Sequence, residues 1–225
     1  MLALKLGMSL VSSNGPGWSP LGEASLKAWY KKEAGITLNG SDVSSWADSS
    51  TNSFDMVQAT ATEQPAYSAG VLTFDPADTN NLTSASDIEL SGDFTIGIRL
   101  NIAASGGVIV GDNTLDGELI KVFSNNKIGI RIDNQTRVDL QLDSGNLIAS
   151  ESYMLITRVS GTLTLHWNGT AQADTETMTG TANIDAIGVR KTDNNPFDGT
   201  IREIQIYSSS SASLTAHVND RLAGL

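Results

Sequence analysis

The stretch MLITRVSGTLTLHWNGTAQA, residues 154–173, decides the fold. Two runs rich in β-branched and aromatic residues, Met154–Val159 and Thr162–Trp167, meet at Ser160-Gly161, and a second turn follows at Asn168-Gly169. Asn-Gly tolerates positive φ at both central turn positions, which makes it the strongest short-range hairpin signal. The stretch is therefore expected to be an antiparallel hairpin.

Turn signals recur at intervals of roughly 8–12 residues on either side, the spacing of an antiparallel sandwich or jelly roll. Between them the sequence predicts strands over Val71–Asp75, Phe94–Ile102, Val108–Gly111, Glu118–Ser124, Lys127–Asp133, Thr136–Leu142, Ile184–Arg190 and Thr200–Tyr207. Ile128, Ile130 and Ile132, and again Val138, Leu140 and Leu142, alternate with polar residues, so one face of each strand is buried and the other wet. Only the last segment reads as a helix. There Ser213 can cap a stripe of Leu214, Val218 and Leu222.

Composition fits one large all-β domain: 225 residues, 40% hydrophobic, 17% charged, with 21 glycines for tight turns. No apolar run approaches the ~18 residues a membrane helix needs. The opening MLALKLGMSLVSSNG lacks a basic leader and is broken by Lys5, Gly7 and Ser9, so secretion by a signal peptide is not expected. Without cysteine there is no disulfide, thiolate metal site or cysteine nucleophile. The sequons at Asn39, Asn81, Asn134 and Asn168 are read as chance in an Asn/Thr-rich chain. Net charge is −11, and residues 36–225 carry all of the excess acid, which argues against nucleic-acid partners.

Residues 1–20 read as an arm and linker, and residues 21–225 as the sandwich domain. In the arm, Leu2, Leu4, Leu6, Met8 and Leu10 stand at every second position, a strand with one oily face, followed by the Gly/Pro-rich run Ser12–Pro20. Such a strand can add to another chain's sheet, where backbone bonds give affinity and alternate pockets give specificity. The other reading makes it an edge strand of its own sandwich. These five residues are the expected partner-binding site.

The pattern Arg158, Gly161, Leu163, Leu165, Trp167-Asn168-Gly169 resembles a hairpin that recurs in the concanavalin A-like, laminin G-like superfamily. Two further segments resemble the same family: Trp29, Val43, Trp46, Asp48, Ser50, Gln64-Pro65, Tyr67 and Phe74-Asp75 near the start, and Gly199, Ile201, Glu203, Ile204, Ile206, Tyr207, Leu214, Val218 and Leu222 at the end. The sequence departs at Pro76, where the family usually has Gly. The resemblance implies a two-sheet antiparallel jelly roll with an extended N-terminal arm and a short C-terminal helix. Taken with the alternating arm, the chain resembles virion structural proteins of tailed phages, marine ones in particular.

The search for chemistry returns mostly absences. Retaining glucanases of this superfamily carry Glu, Asp two residues on, and a further Glu on one strand, because nucleophile and acid must face one sugar about 5 Å apart. None of the eight Glu here has Asp at i+2. His166 and His217 are the only histidines and lie far apart, so neither a triad nor a His-based zinc site is expected; both are expected on outer faces. Asp75, Asp78 and Asn80, or Asp112, Asn113 and Asp116, could supply oxygen ligands to a rim Ca²⁺, but these residue types also form turns by bonding their own backbone, and the turn reading is preferred. Trp29, Trp46, Phe74 and Trp167 are read as core rather than sugar platforms. The expectation is a non-enzymatic, cofactor-free virion component, such as a capsid decoration or cement protein. It would be made in the host cytoplasm, present in many copies or as a homo-oligomer, and attached to capsid or other virion proteins through its arm. The alternative is a carbohydrate-binding module or adhesin for host surface glycans, betrayed by an exposed aromatic platform beside a polar groove.

Overall fold

A computed structural model describes residues 17–113, 119–148, 150–191 and 195–225; Leu2, Leu4, Leu6, Met8 and Leu10 of the expected arm strand lie outside them. The described residues form an all-β, mostly antiparallel, nearly closed sandwich with one short C-terminal helix.

The N-terminal strands are β1 (Leu26–Tyr30), β2 (Ile36–Asn39), β3 (Asp42–Trp46), β4 (Met56–Val57), β5 (Ala66–Ser68) and β6 (Val71–Phe74). The middle of the chain gives β7 (Leu82–Leu90), β8 (Phe94–Ile102), β9 (Val108–Gly111), β10 (Ile120–Ser124), β11 (Lys127–Ile130) and β12 (Val138–Gln141). Then come β13 (Ser152–Val159), β14 (Thr162–Trp167), β15 (Thr170–Thr177), β16 (Ala182–Ile187), β17 (Gly199–Tyr207) and the helix α1 (Ala212–Ala223).

Pairing divides these into two layers. The front sheet runs β12-β11-β10-β9-β16-β7-β4. The back sheet runs β6-β17-β8-β13-β14-β15, with β1 also on β17. At one side β3 pairs with both β4 and β5, and β5 with β6, so the ladder passes from sheet to sheet. At the other side, side chains join the edges of β12 and β15. Asp174 accepts the Gln141 N–H (2.8 Å), Asp143 accepts the Ala173 N–H (3.0 Å) and Gln172 accepts the Asp143 N–H (2.9 Å). Side-chain oxygens thus occupy backbone N–H groups of both edges, which blunts them against extension by another chain.

The hairpin forms as its sequence dictates. Ser160 and Gly161 (φ 49° and 84°) and Asn168 and Gly169 (φ 47° and 83°) each place two positive-φ residues at a turn, and the register Val159↔Thr162 to Met154↔Trp167 follows. Arg158 points inward and is buried. It donates to the carbonyls of Leu90 (2.9 Å), Gly92 (2.8 Å) and Gly180 (3.0 Å) and lies 4.7 Å over the Phe94 ring, so the motif's arginine is a clamp across strand ends. Burial also pushes its pKa down from the usual arginine value, although Asp93 and Asp133 oppose this.

Between the sheets lies one core. Every second residue of β8, from Phe94 through Ile96, Ile98 and Leu100 to Ile102, enters it, as do Ile128, Ile130, Leu140, Met154, Ile156, Leu163 and Leu165. A second, smaller cluster sits outside the back sheet, where Leu214, Val218 and Leu222 pack on Leu155 and Tyr207. Gly97 allows this approach: a Cβ there would stand 2.5 Å from Val218 and 3.0 Å from Leu222.

Several sequence expectations are corrected. Strands β1 to β5, the nine-residue β7 and β15 were not anticipated. β7 is mostly polar at its centre, Ser84 to Asp87, and bulges there against β16, which hides its period. β11 stops at Ile130, before Asp133, because Asp133 and Asn134 take left-handed turn conformations (φ 50° and 55°). β16 stops at Ile187 because Gly188 turns at φ 91°. The helix is capped by Ser211, whose Oγ accepts the Leu214 N–H at 3.2 Å; Ser213 lies inside the first turn.

Candidate functional site

The front sheet has an open outer face built by β10, β11 and β12. In register, Val122, Ile128 and Leu140 point inward while Lys121, Gly129 and Asp139 point outward. A bulge between Val122 and Ser124 widens β10 at Phe123, which is 40% exposed, a high value for a large apolar ring. The Arg137 guanidinium lies 3.6 Å over that ring and its Nε donates to Asp139 at 2.7 Å. To get there the side chain crosses β11 at Gly129, where a Cβ would sit 2.6 Å from the Arg137 Cδ. Gly129 thus makes the space that lets arginine lie flat on the sheet.

The rim of this patch is polar. Lys121 donates to Asn195 Oδ1 (3.2 Å), Lys127 and Gln141 stand on the same face, and Arg131 follows at the end of β11 with its Nε on the Gln135 carbonyl (3.1 Å). A flat, partly apolar plate ringed by donors suits sugar: ring C–H groups stack on the aromatic and hydroxyls take the hydrogen bonds.

The other end of the sheet is acidic. Asp87 and Glu89 of β7 lie beside Asp185 of β16, which is only 5% exposed and accepts the Asn113 N–H at 2.5 Å. Burial pushes the Asp185 carboxyl up to about 6, with Asp112 and Asp87 adding to the rise and the Asn113 N–H opposing it. Asp87 is raised as well, by burial first and then by Asp112 and Glu89.

Two further hollows lie away from this face among the described residues. One lies at the rim, among Asp42, Gln64, Asp75, Asp78 and Asn80. Here Asp75 Oδ1 accepts the Ala77 N–H (2.8 Å), and Asn80 accepts the Asp75 N–H (2.9 Å) while donating to the Gln64 carbonyl (3.2 Å). Both side chains are therefore engaged in forming the turn, which also accommodates Pro76. Among the described residues no group of three or more His, Cys, Asp or Glu is placed to hold a metal, and Asp116 lies outside those residues. The other hollow separates α1 from β13 to β15 and holds His166.

The sequence-marked residues are spread over the molecule rather than gathered. His166 is on the outer face of the back sheet, half-buried beside α1, and burial pushes its pKa down. His217 is not freely exposed: its ring stacks on Trp18 (5.0 Å between centroids), with Nδ1 3.9 Å from Glu23. Trp29, Trp46 and Phe74 are buried, and Trp167 is half-buried against the core. Phe123 and Arg137 were missed. Plain alternation outward from the buried Ile120 and Val122 would have placed Phe123 on the wet face, but no local pattern announces an arginine crossing a glycine to meet it.

A laminin G-type family model, described as the concanavalin A-like lectin/glucanases superfamily, matches residues 75–215, and the chain belongs to that superfamily. Among solved structures the chain is similar to domain 4 of AbnA, an extracellular arabinanase of Geobacillus stearothermophilus, in complex with arabinotriose: 17% identity, TM-score 0.59, covering 88% of this chain and 98% of that one. It is also similar to Trypanosoma rangeli sialidase in complex with the inhibitor DANA, at 12% identity and TM-score 0.59, covering 90% of this chain but 33% of the sialidase. The chain thus spans about a third of the length of the sialidases it matches. These likenesses concern the fold. No curated protein sequence matches, and no helix among the described residues is long and apolar enough to cross a membrane.

Proposed function

We propose that this chain is a non-catalytic, glycan-contacting β-sandwich whose ligand face is the outer surface of β10, β11 and β12. The observation that carries the reading is Phe123, exposed on a bulge and capped by Arg137 across Gly129, on a sheet face that no helix among the described residues covers. An exposed aromatic beside polar donors is the feature that separates a sugar-binding module from a purely structural sandwich. The arabinanase domain solved with arabinotriose supports a sugar role for a sandwich of this shape.

Display on a phage particle is the second part of the proposal. It rests on the likeness of the sequence to virion proteins and on the oily alternation of Leu2, Leu4, Leu6, Met8 and Leu10. The two parts agree: many tethered copies turn a weak sugar contact into firm attachment, by two to four orders of magnitude where geometry allows. The non-catalytic reading is supported by the missing Glu–Asp strand pattern and by Asp185, a carboxyl already engaged by a backbone N–H.

The test is a panel of soluble polysaccharides run through affinity gels with the wild-type chain, Phe123→Ala and His166→Ala. Retardation that is lost in Phe123→Ala and kept in His166→Ala supports the front face. Loss in His166→Ala alone moves the site to the helix groove. Release of reducing ends from any retained glycan would contradict the non-catalytic reading.

A further inference from the structure

We infer that the ligand is an acidic sugar chain bearing carboxylates, a uronate polymer, and that Arg137 and Lys127 select it; this rests on the front face being the ligand face. The protein as a whole is acidic, at −11, yet the outer face of β10 to β12 carries Lys121, Lys127, Arg131 and Arg137, with the carboxylate of Asp139 among them and those of Asp143 and Asp174 at the β12 edge. Four arginines elsewhere are taken up by the fold: Arg99 and Arg202 bind Glu151 (2.9 and 2.6 Å), Arg221 binds Glu203, and Arg158 is buried on carbonyls. On the front face, by contrast, Arg137 and Lys127 keep donor groups that no described residue takes up.

Arg137 is prepared for a carboxylate. Its Nε is held by Asp139 and its plane by Phe123, while its two terminal nitrogens have no hydrogen bond to the described residues. A guanidinium fixed in this way presents parallel N–H groups at the spacing of the two oxygens of a carboxylate, and the ordering has been done before the ligand arrives. Lys127 makes no ion pair among the described residues. Lying on the neighbouring strand, it offers a point charge to the next acidic unit along the chain. The surrounding negative charge does not undo this. At physiological ionic strength charges are screened over about 8 Å, so the cations beside the ligand outweigh acidic groups beyond that distance.

The experiment uses the full chain and its variants Phe123→Ala, Arg137→Gln and Lys127→Glu, with Lys27→Glu on β1 as control, after confirming that melting temperatures match. Polygalacturonate, neutral dextran and dextran sulfate are the probes. The expected result is retention by polygalacturonate and not by dextran, falling roughly tenfold to a hundredfold in Arg137→Gln. Lys127→Glu should weaken it similarly, Lys27→Glu should leave it alone, and added salt should lower it.

Equal retention of dextran sulfate, surviving in Arg137→Gln, would show unselective charge and overturn the carboxylate inference. A neutral glycan retained in place of polygalacturonate and lost in Phe123→Ala would keep the face and overturn its specificity. Polygalacturonate binding indifferent to Phe123→Ala and Arg137→Gln would overturn both.

Discussion

The two sheets of this sandwich share one core but treat their outer faces in opposite ways. On the back sheet, Glu203, Gln205 and Tyr207 of β17 point outward and would meet water, except that the Trp29 side chain of β1 and the helix α1 close over them. Glu203 becomes 0% exposed and collects the indole N–H of Trp29 (2.9 Å), the Gln205 amide (2.9 Å) and both sides of Arg221 (2.5 and 2.9 Å). Tyr207 donates to Gln205 at 2.7 Å, and burial, with Glu23 and Glu203 nearby, raises its pKa above the usual tyrosine value. On the front sheet another arginine–aromatic–carboxylate set, Arg137, Phe123 and Asp139, stays at the surface. The same three kinds of group make a lock where they are covered and, in the function proposed above, a landing surface where they are open. Burial, rather than residue type, decides the role.

The comparison breaks most visibly at Glu203. Glu203→Ala leaves a guanidinium and an indole N–H without their acceptor beneath the helix, which costs about 3–5 kcal/mol. For a domain of this size that lowers the melting temperature by about 10 °C. A calorimetric fall of less than about 2 °C would mean the lock is ornamental.

Next in size is the acidic end of the front sheet. The folded pKa of Asp185, about 6, lies above its unfolded value near 3.8, so the native state holds the proton more tightly. Its contribution is complete below the unfolded value and is lost as pH rises through the folded one. Stability should therefore decline between about pH 4 and pH 6, by at most about 3 kcal/mol from this group, and Asp87 pushes in the same direction. Asp185→Asn keeps an oxygen for the Asn113 N–H and should raise the melting temperature at pH 7.5 while flattening that slope. A slope unchanged by the substitution would assign it to other groups.

A smaller effect is expected at the hairpin. Asn168 holds φ 47° and accepts the Tyr153 N–H at 3.0 Å, so Asn168→Ala should cost about 1–2 kcal/mol in denaturant unfolding. Smallest of all is the front face itself: Phe123→Ala should change stability by no more than ~0.5 kcal/mol, because the ring fills no core space. A loss of 2 kcal/mol there would make Phe123 structural and remove the contrast between the faces.

Much of the architecture was legible in the sequence because it is written in local patterns. Asn168-Gly169 announced its turn, the uninterrupted alternation of Phe94 to Ile102 announced β8 to the residue, and Leu214, Val218 and Leu222 announced the buried stripe of α1. What stayed hidden depends on distant partners. β7 is a strand because β16 lies beside it, not because Ser84-Ala85-Ser86-Asp87 favours one. Asp48 read as a motif letter, yet its carboxylate takes the N–H groups of Trp29, Ser50 and Phe54, at 2.9, 2.8 and 3.2 Å, and so organises a loop 19 residues from the first of them. The candidate site was hidden for the same reason, since Phe123, Gly129 and Arg137 meet only after three strands pair. The arm was legible as a pattern and carries the attachment half of the proposal.

The most direct test of the claim that the front face is for binding and the back face for holding is a nuclear magnetic resonance titration of the labelled chain with an oligogalacturonide. The Gly129 amide, the Phe123 ring and the Arg137 side chain should shift together and saturate at one dissociation constant, while Trp29 Nε1–H and the amides of residues 212–223 stay still. Shifts centred on the helix groove around His166 or on the Asp75–Asn80 turn, with Gly129 unmoved, would contradict it.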